Sequence, residues 1–78
     1  MKELVQYLAR QLVNNPEAVE VRETQGETAS VLELKVAKED LGRIIGKQGR
    51  TAKSIRTILN AAASRTNRKV VLEIIEEQ

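Results

Sequence analysis

Two glycines three residues apart, Gly46 and Gly49, lie between two stretches whose apolar residues recur at helical intervals. Leu41, Ile44 and Ile45 precede them, and Ala52, Ile55 and Leu59 follow. Glycine commonly ends a helix, because it adopts backbone angles closed to residues that carry a Cβ. The spacing predicts a short helix over Lys38–Ile45, a loop Gly46-Lys47-Gln48-Gly49, and a longer helix over Arg50–Arg65 that stops at Thr66-Asn67. Any fold for this chain must accommodate two helices joined by that tight turn.

The flanking segments supply the rest. Leu4, Leu8 and Leu12, joined by Val5, Ala9 and Val13, mark a helix over residues 2–14. Asn14-Asn15-Pro16 stops it, since the residue before proline is pushed out of the helical region. Val19–Arg22 and Leu32–Val36 alternate with a period of two and read as a hairpin around the polar turn Gln25–Thr28. Lys69–Glu76 is rich in Val and Ile and reads as a last strand. The predicted order is α-β-β-α-α-β, an α+β fold with a three-stranded sheet and three helices packed on one face. Seventy-eight residues suffice for one small domain spanning residues 1–78, with a thin core.

A bare G-x-x-G spacing ordinarily marks a tight turn and nothing more. Here Ile44-Ile45 precedes it, Ala52 and Ile55 follow at helical spacing, and basic residues flank it. The loop opens into a helix N-terminus, where free N–H groups and the dipole favour a phosphate. Arg50 and Lys53 lie one turn apart on that helix and add charge on one side. Neither the G-x-x-x-x-G-K-[ST] spacing of a nucleoside-triphosphate loop nor the G-x-G-x-x-G of a dinucleotide fold is present.

Charge is distributed to match. Residues 1–34 carry three basic and six acidic side chains (−3), residues 35–69 ten basic and two acidic (+8), and residues 70–78 three acidic (−3). A basic central half suits a polyanion, and equally a solvated basic helix. There is no Cys and no His, which removes thiolate chemistry and the commonest general base and metal ligand. Tyr7 is the only aromatic residue, so modules that stack bases on aromatic platforms are disfavoured. Glu73, Glu76 and Glu77 lack a His or Asp nearby and read as a solvated edge, with no metal or catalytic site expected. Asp40 is either a helix-start residue or an orienting partner for Arg43. No apolar run approaches the ~20 residues that cross a bilayer. Glu3, Gln6 and Arg10 break any signal-like stretch, so a cytoplasmic protein is expected.

The segment Ile45-Gly46-Lys47-Gln48-Gly49-Arg50-Thr51-Ala52-Lys53-Ser54-Ile55 resembles the KH-domain signature I-G-x-x-G-x-x-x-x-x-I. A helix and hairpin before the signature, with one strand after it, resemble the type II arrangement found in bacteria. The length is similar to that of the KhpA family of small single-KH proteins. This resemblance implies an RNA-binding protein, not an enzyme, without a cofactor, whose groove holds about four unpaired nucleotides. One wall would be the Lys38–Ile45 helix, the loop and the start of the next helix. The other would be the Leu32–Val36 strand. Gly46 and Gly49 would admit the RNA backbone, Lys47, Gln48 and Arg50 would meet phosphates, and Arg43 and Lys53 would add charge. Gly42 would keep the wall shallow. One of Ile44 and Ile45 would reach the groove and the other the core; Ile45 is carried as the RNA-facing candidate.

On the Arg50–Arg65 helix, Ala52, Ile55, Leu59 and Ala62 share the expected core face. Ile58 lies about 80° away by the same rotation, beside Ala61. An exposed Ile beside small residues suggests a surface for pairing through Ile58, Ala61 and Ala62. The expected partner is a second copy or, as the resemblance implies, a larger KH-containing protein.

Overall fold

A computed structural model describes residues 1–76, leaving aside the side chain of Thr66. Helix α1 spans Lys2–Leu12, strand β1 Glu20–Gln25, strand β2 Ala29–Val36, helix α2 Leu41–Ile45, helix α3 Arg50–Ala63 and strand β3 Lys69–Glu76. Single 3₁₀ turns occupy Pro16–Ala18, Lys38–Asp40, Lys47–Gly49 and Ser64–Thr66. The order is the one the periodicities predict.

The boundaries differ by a few residues. α1 stops two residues early because Val13 is already extended, at φ −101° and ψ 160°. The hairpin strands run further than their alternation suggests, up to Gln25 paired with Ser30. Arg68, some forty residues away, holds their turn: its Nη2 donates to Gly26 O at 2.8 Å, Ala29 O at 3.3 Å and Ser30 Oγ at 3.2 Å. The segment expected as one helix over Lys38–Ile45 is a 3₁₀ turn followed by five helical residues. α3 ends at Ala63 and tightens into the 3₁₀ turn Ser64–Thr66, which Asn67 closes in a left-handed conformation, φ 57°, one that Asn tolerates better than most residues.

β2 is the central strand, antiparallel to β1 and parallel to β3. Val21 faces Leu34, Leu32 faces Leu72, and Leu34 faces Ile74, so these side chains share one face of the sheet. Val5 and Ala9 of α1, Ile44 of α2, and Ile55 and Leu59 of α3 close over them in one buried cluster. All three helices therefore cover the same face. The core stripe of α3 is Ala52, Ile55, Leu59 and Ala63. Ala62, expected on that stripe, is only half-buried, since Ala63 is the residue one full turn beyond Leu59. The opposite sheet face carries Glu20, Arg22, Lys35 and Glu73, with Val71 and Ile75 exposed among them. A parallel pair cannot be joined by a tight turn. The connection from β2 to β3 is made by α2, the glycine loop and α3.

Candidate nucleic-acid interface

The loop is built by backbone bonds at both ends. Gly46 N–H donates to Gly42 O at 2.8 Å and closes α2. Gly49 N–H donates to Gly46 O at 3.1 Å, and Arg50 N–H donates to Lys47 O. Gly46 (φ 78°, ψ 170°), Gln48 (φ 58°, ψ 26°) and Gly49 (φ 76°, ψ 11°) all have positive φ. Glycine takes these angles freely, whereas the left-handed region costs an L-residue about 1–2 kcal/mol. Gln48 is thus held there by the turn around it. A Cβ on Gly46 would lie 2.7 Å from the backbone nitrogen of Thr51, so the loop closes directly onto the first turn of α3. A Cβ on Gly49 or Gly42 would meet nothing within 4 Å. Those two glycines leave main chain open to an incoming ligand.

Cations surround this bare stretch. Arg43, Lys47, Arg50 and Lys53 are all exposed, as is Gln48. The sequence leaves open which of Ile44 and Ile45 enters the core, and the structure resolves it. Ile44 is 0% exposed, and Ile45 is 40% exposed at the end of α2, beside the loop. The structure thus brings Gly42, Arg43, Ile45, Gly46, Lys47, Gln48, Gly49, Arg50 and Lys53 onto one continuous stretch of exposed helix end and loop. On α3, Ile58 is 44% exposed and Ala61 is exposed, with Ala62 half-buried next to them.

β2 does not offer the open wall expected of it. β2 has strands on both sides, and its inward Leu32, Leu34 and Val36 are 0% exposed, so it presents no free edge beside the helices. The edge strand next to α3 is β3. Between them lies a shallow hollow of about 170 Å³, lined by Arg56, Leu59, Asn60, Val70, Val71 and Leu72. Arg56 Nη2 donates to Leu72 O at 3.3 Å, which holds a third α3 cation, after Arg50 and Lys53, against β3. Arg56 follows Arg50 and Lys53 at three-residue steps, a signal available in the sequence. A larger hollow, about 380 Å³, lies on the uncovered sheet face among Glu20, Arg22, Glu33, Lys35, Ile75 and Glu76. Its mixed charges do not favour a polyanion.

One buried group was only half legible. Asp40 is 0% exposed. Its Oδ1 accepts from Asn14 N–H at 3.1 Å, and its Oδ2 accepts from Asn15 N–H at 3.0 Å and Asn15 Nδ2 at 2.9 Å. Arg43 Nε stands 3.7 Å from Oδ1. Burial pushes the Asp40 carboxyl up, but the Asn14 and Asn15 hydrogen bonds and the Arg43 charge outweigh it, and the net shift is below the ordinary 3.8. Asp40 is thus both residues the sequence allowed, at the start of α2 and next to Arg43. Its tie to Asn14 and Asn15 leaves no trace in local spacing.

Among the described residues no three His, Cys, Asp or Glu side chains gather as a metal site, and Glu73 and Glu76 are exposed. Glu77 lies outside the described residues. No described helix is long and apolar enough to cross a membrane.

Residues 2–74 match the family model described as KhpA/KhpB, KH domain. The chain is 59% identical over 75 residues to an RNA-binding protein KhpA of Clostridium perfringens, covering 96% of this chain and 100% of that one. It is 54% identical over 78 residues to an RNA-binding protein KhpA of Chlamydia trachomatis, covering all of both. With that of Borreliella burgdorferi the identity is 43% over 74 residues, 95% of this chain and 90% of the relative. No solved structure matches the chain.

Proposed function

Because the chain belongs to the KhpA/KhpB family of KH domains, we propose that it binds single-stranded RNA through the Gly46–Gly49 loop. The family is one of RNA-binding proteins, not of enzymes. The observation that carries the assignment to this loop is the pairing of open main chain at Gly42 and Gly49 with the exposed cations Arg43, Lys47, Arg50 and Lys53. A sugar-phosphate strand needs close backbone approach and positive charge, and here one short segment supplies both. Ile45 offers aliphatic surface to a base, which suits a binder whose single aromatic residue is Tyr7. The second wall in this reading is the edge of β3 with Arg56 and Asn60.

A groove for about four nucleotides makes few contacts, so affinity is modest and sequence preference weak. Two grooves presented together would raise the effective affinity, and a cytoplasmic RNA chaperone or post-transcriptional regulator working as a dimer fits that limit. The test replaces Lys47 and Gln48 together with Asp and titrates unstructured RNA at several salt concentrations. Wild type should bind with a log–log salt slope of about −2 to −3, for three or four phosphates contacted on a single strand. The double variant should stay folded by circular dichroism and lose binding. Unchanged affinity in that variant would refute the loop assignment.

The exposure of Ile58 and Ala61 on α3 favours a second reading, a protein-interaction adaptor that pairs with another copy or another KH-domain protein. The two uses are compatible, since α3 carries Ile58 and Lys53 at different angles around its axis.

A further inference from the structure

Arg43 differs from the other cations around the loop in having a fixed partner. Lys47, Arg50 and Lys53 are exposed, and no ion pair is formed by them among the described residues. Arg43 has its Nε 3.7 Å from Asp40 Oδ1, while its side chain stays 54% exposed. That separation is too long for a hydrogen bond but short enough for the two charges to orient each other. The contact is made along the Nε edge of the guanidinium. The neighbouring end-on edge, the Nη1–Nη2 fork, can grip a phosphate through two parallel N–H bonds.

Asp40 is itself immobile. Three N–H groups from Asn14 and Asn15, at 2.9–3.1 Å, occupy both carboxylate oxygens, and the side chain is 0% exposed. Asn15 Nδ2 also donates to Glu39 Oε1 at 3.0 Å, which ties the same junction a second time. Asn14 and Asn15 follow α1, and Asp40 immediately precedes α2. The carboxylate thereby references Arg43 to the far end of α1 and not to the loop.

We infer that Asp40 is a positioning residue that aims the Arg43 guanidinium fork at an RNA phosphate beside the glycine loop. This rests on the RNA-binding reading above and extends it to a residue that touches no ligand. A merely structural Asp40 would lower stability and leave the contribution of Arg43 to binding intact.

The test is a double-mutant cycle in RNA affinity, read with a pool of random-sequence single-stranded RNA oligonucleotides at fixed salt. Arg43→Ala and Asp40→Asn should each weaken binding about fivefold or more. The double variant should bind within about twofold of Arg43→Ala, because without the guanidinium there is nothing left to aim. Additive losses, or wild-type affinity in Asp40→Asn, overturn the inference. If Asp40→Asn does not fold, Asn15→Ala carries the test, since it removes one of the three donors that fix the carboxylate. A loss of RNA affinity that disappears in the Arg43→Ala background supports the inference, and wild-type affinity in Asn15→Ala overturns it. Absence of binding by the unaltered protein would instead remove the RNA-binding reading on which all of this depends.

Discussion

Ile44 and Ile45 are chemically identical and adjacent, yet one is fully enclosed and the other 40% exposed. Ile44→Ala should destabilise the fold by about 2–5 kcal/mol in urea unfolding, from lost transfer energy plus the cavity left behind. Ile45→Ala should change stability by less than about 1 kcal/mol and weaken RNA binding instead. Local periodicity could not separate them, because successive helical positions are 100° apart and both border the same apolar face. Asp40 makes a second residue-scale prediction. Its folded-state carboxyl lies below the ordinary 3.8, so the folded state favours its charged form. The stability this contributes is present above pH 3.8 and is lost as pH falls through the lower, folded-state value. Wild type should therefore lose stability across that acid window, and Asp40→Asn, less stable at neutral pH, should lose less there. Acid titration of urea midpoints for the two proteins checks the difference.

At the scale of elements, the glycines of the α2–loop–α3 unit separate what the fold needs from what the ligand needs. Gly46→Ala forces a Cβ against the Thr51 backbone at φ 78° and should destabilise sharply. Gly42→Ala meets no atom within 4 Å and removes a helical glycine, so it should stabilise by about 0.5–1 kcal/mol. The same methyl group stands on the bare surface of α2 and should lower RNA affinity. Thermal melts and RNA titrations on both variants test this crossing of effects. All six elements were legible because each carries its own signal: apolar spacing in α1 and α3, alternation in β2, glycine at the end of α2. What was not legible is how strands pair. The alternation of Leu32, Leu34 and Val36 marks a strand with a buried face, and says nothing of whether it lies at the centre or the edge. Expecting the second wall on β2 was the consequence; the parallel β2–β3 pairing makes β3 the edge strand, which is where that wall is proposed. The Arg68 grip on the hairpin turn and the Asn14–Asn15–Asp40 junction escaped for a related reason, since both join residues 25 or more positions apart.

For the molecule as a whole, a thin core and an exposed Ile58 bear on how the protein exists in solution. A domain this small gains stability by pairing, and the Ile58, Ala61 and Ala62 surface of α3 is where pairing is proposed. Mass measurement by light scattering should give a dimer for wild type and a monomer for Ile58→Glu; equal monomer masses would remove the proposal. The edge position of β3 has a consequence of another kind. Lys69–Glu76 is a Val/Ile-rich strand with one flank unpaired, the sort of segment that templates cross-β aggregation. Glu73 interrupts its apolar run, Lys69 and Glu76 bracket it, and the Arg56 guanidinium occupies the Leu72 carbonyl. The side chain proposed to bring charge to the groove thus also occupies a main-chain acceptor of this edge strand, and an RNA that drew Arg56 away would leave that carbonyl open to a strand of another copy.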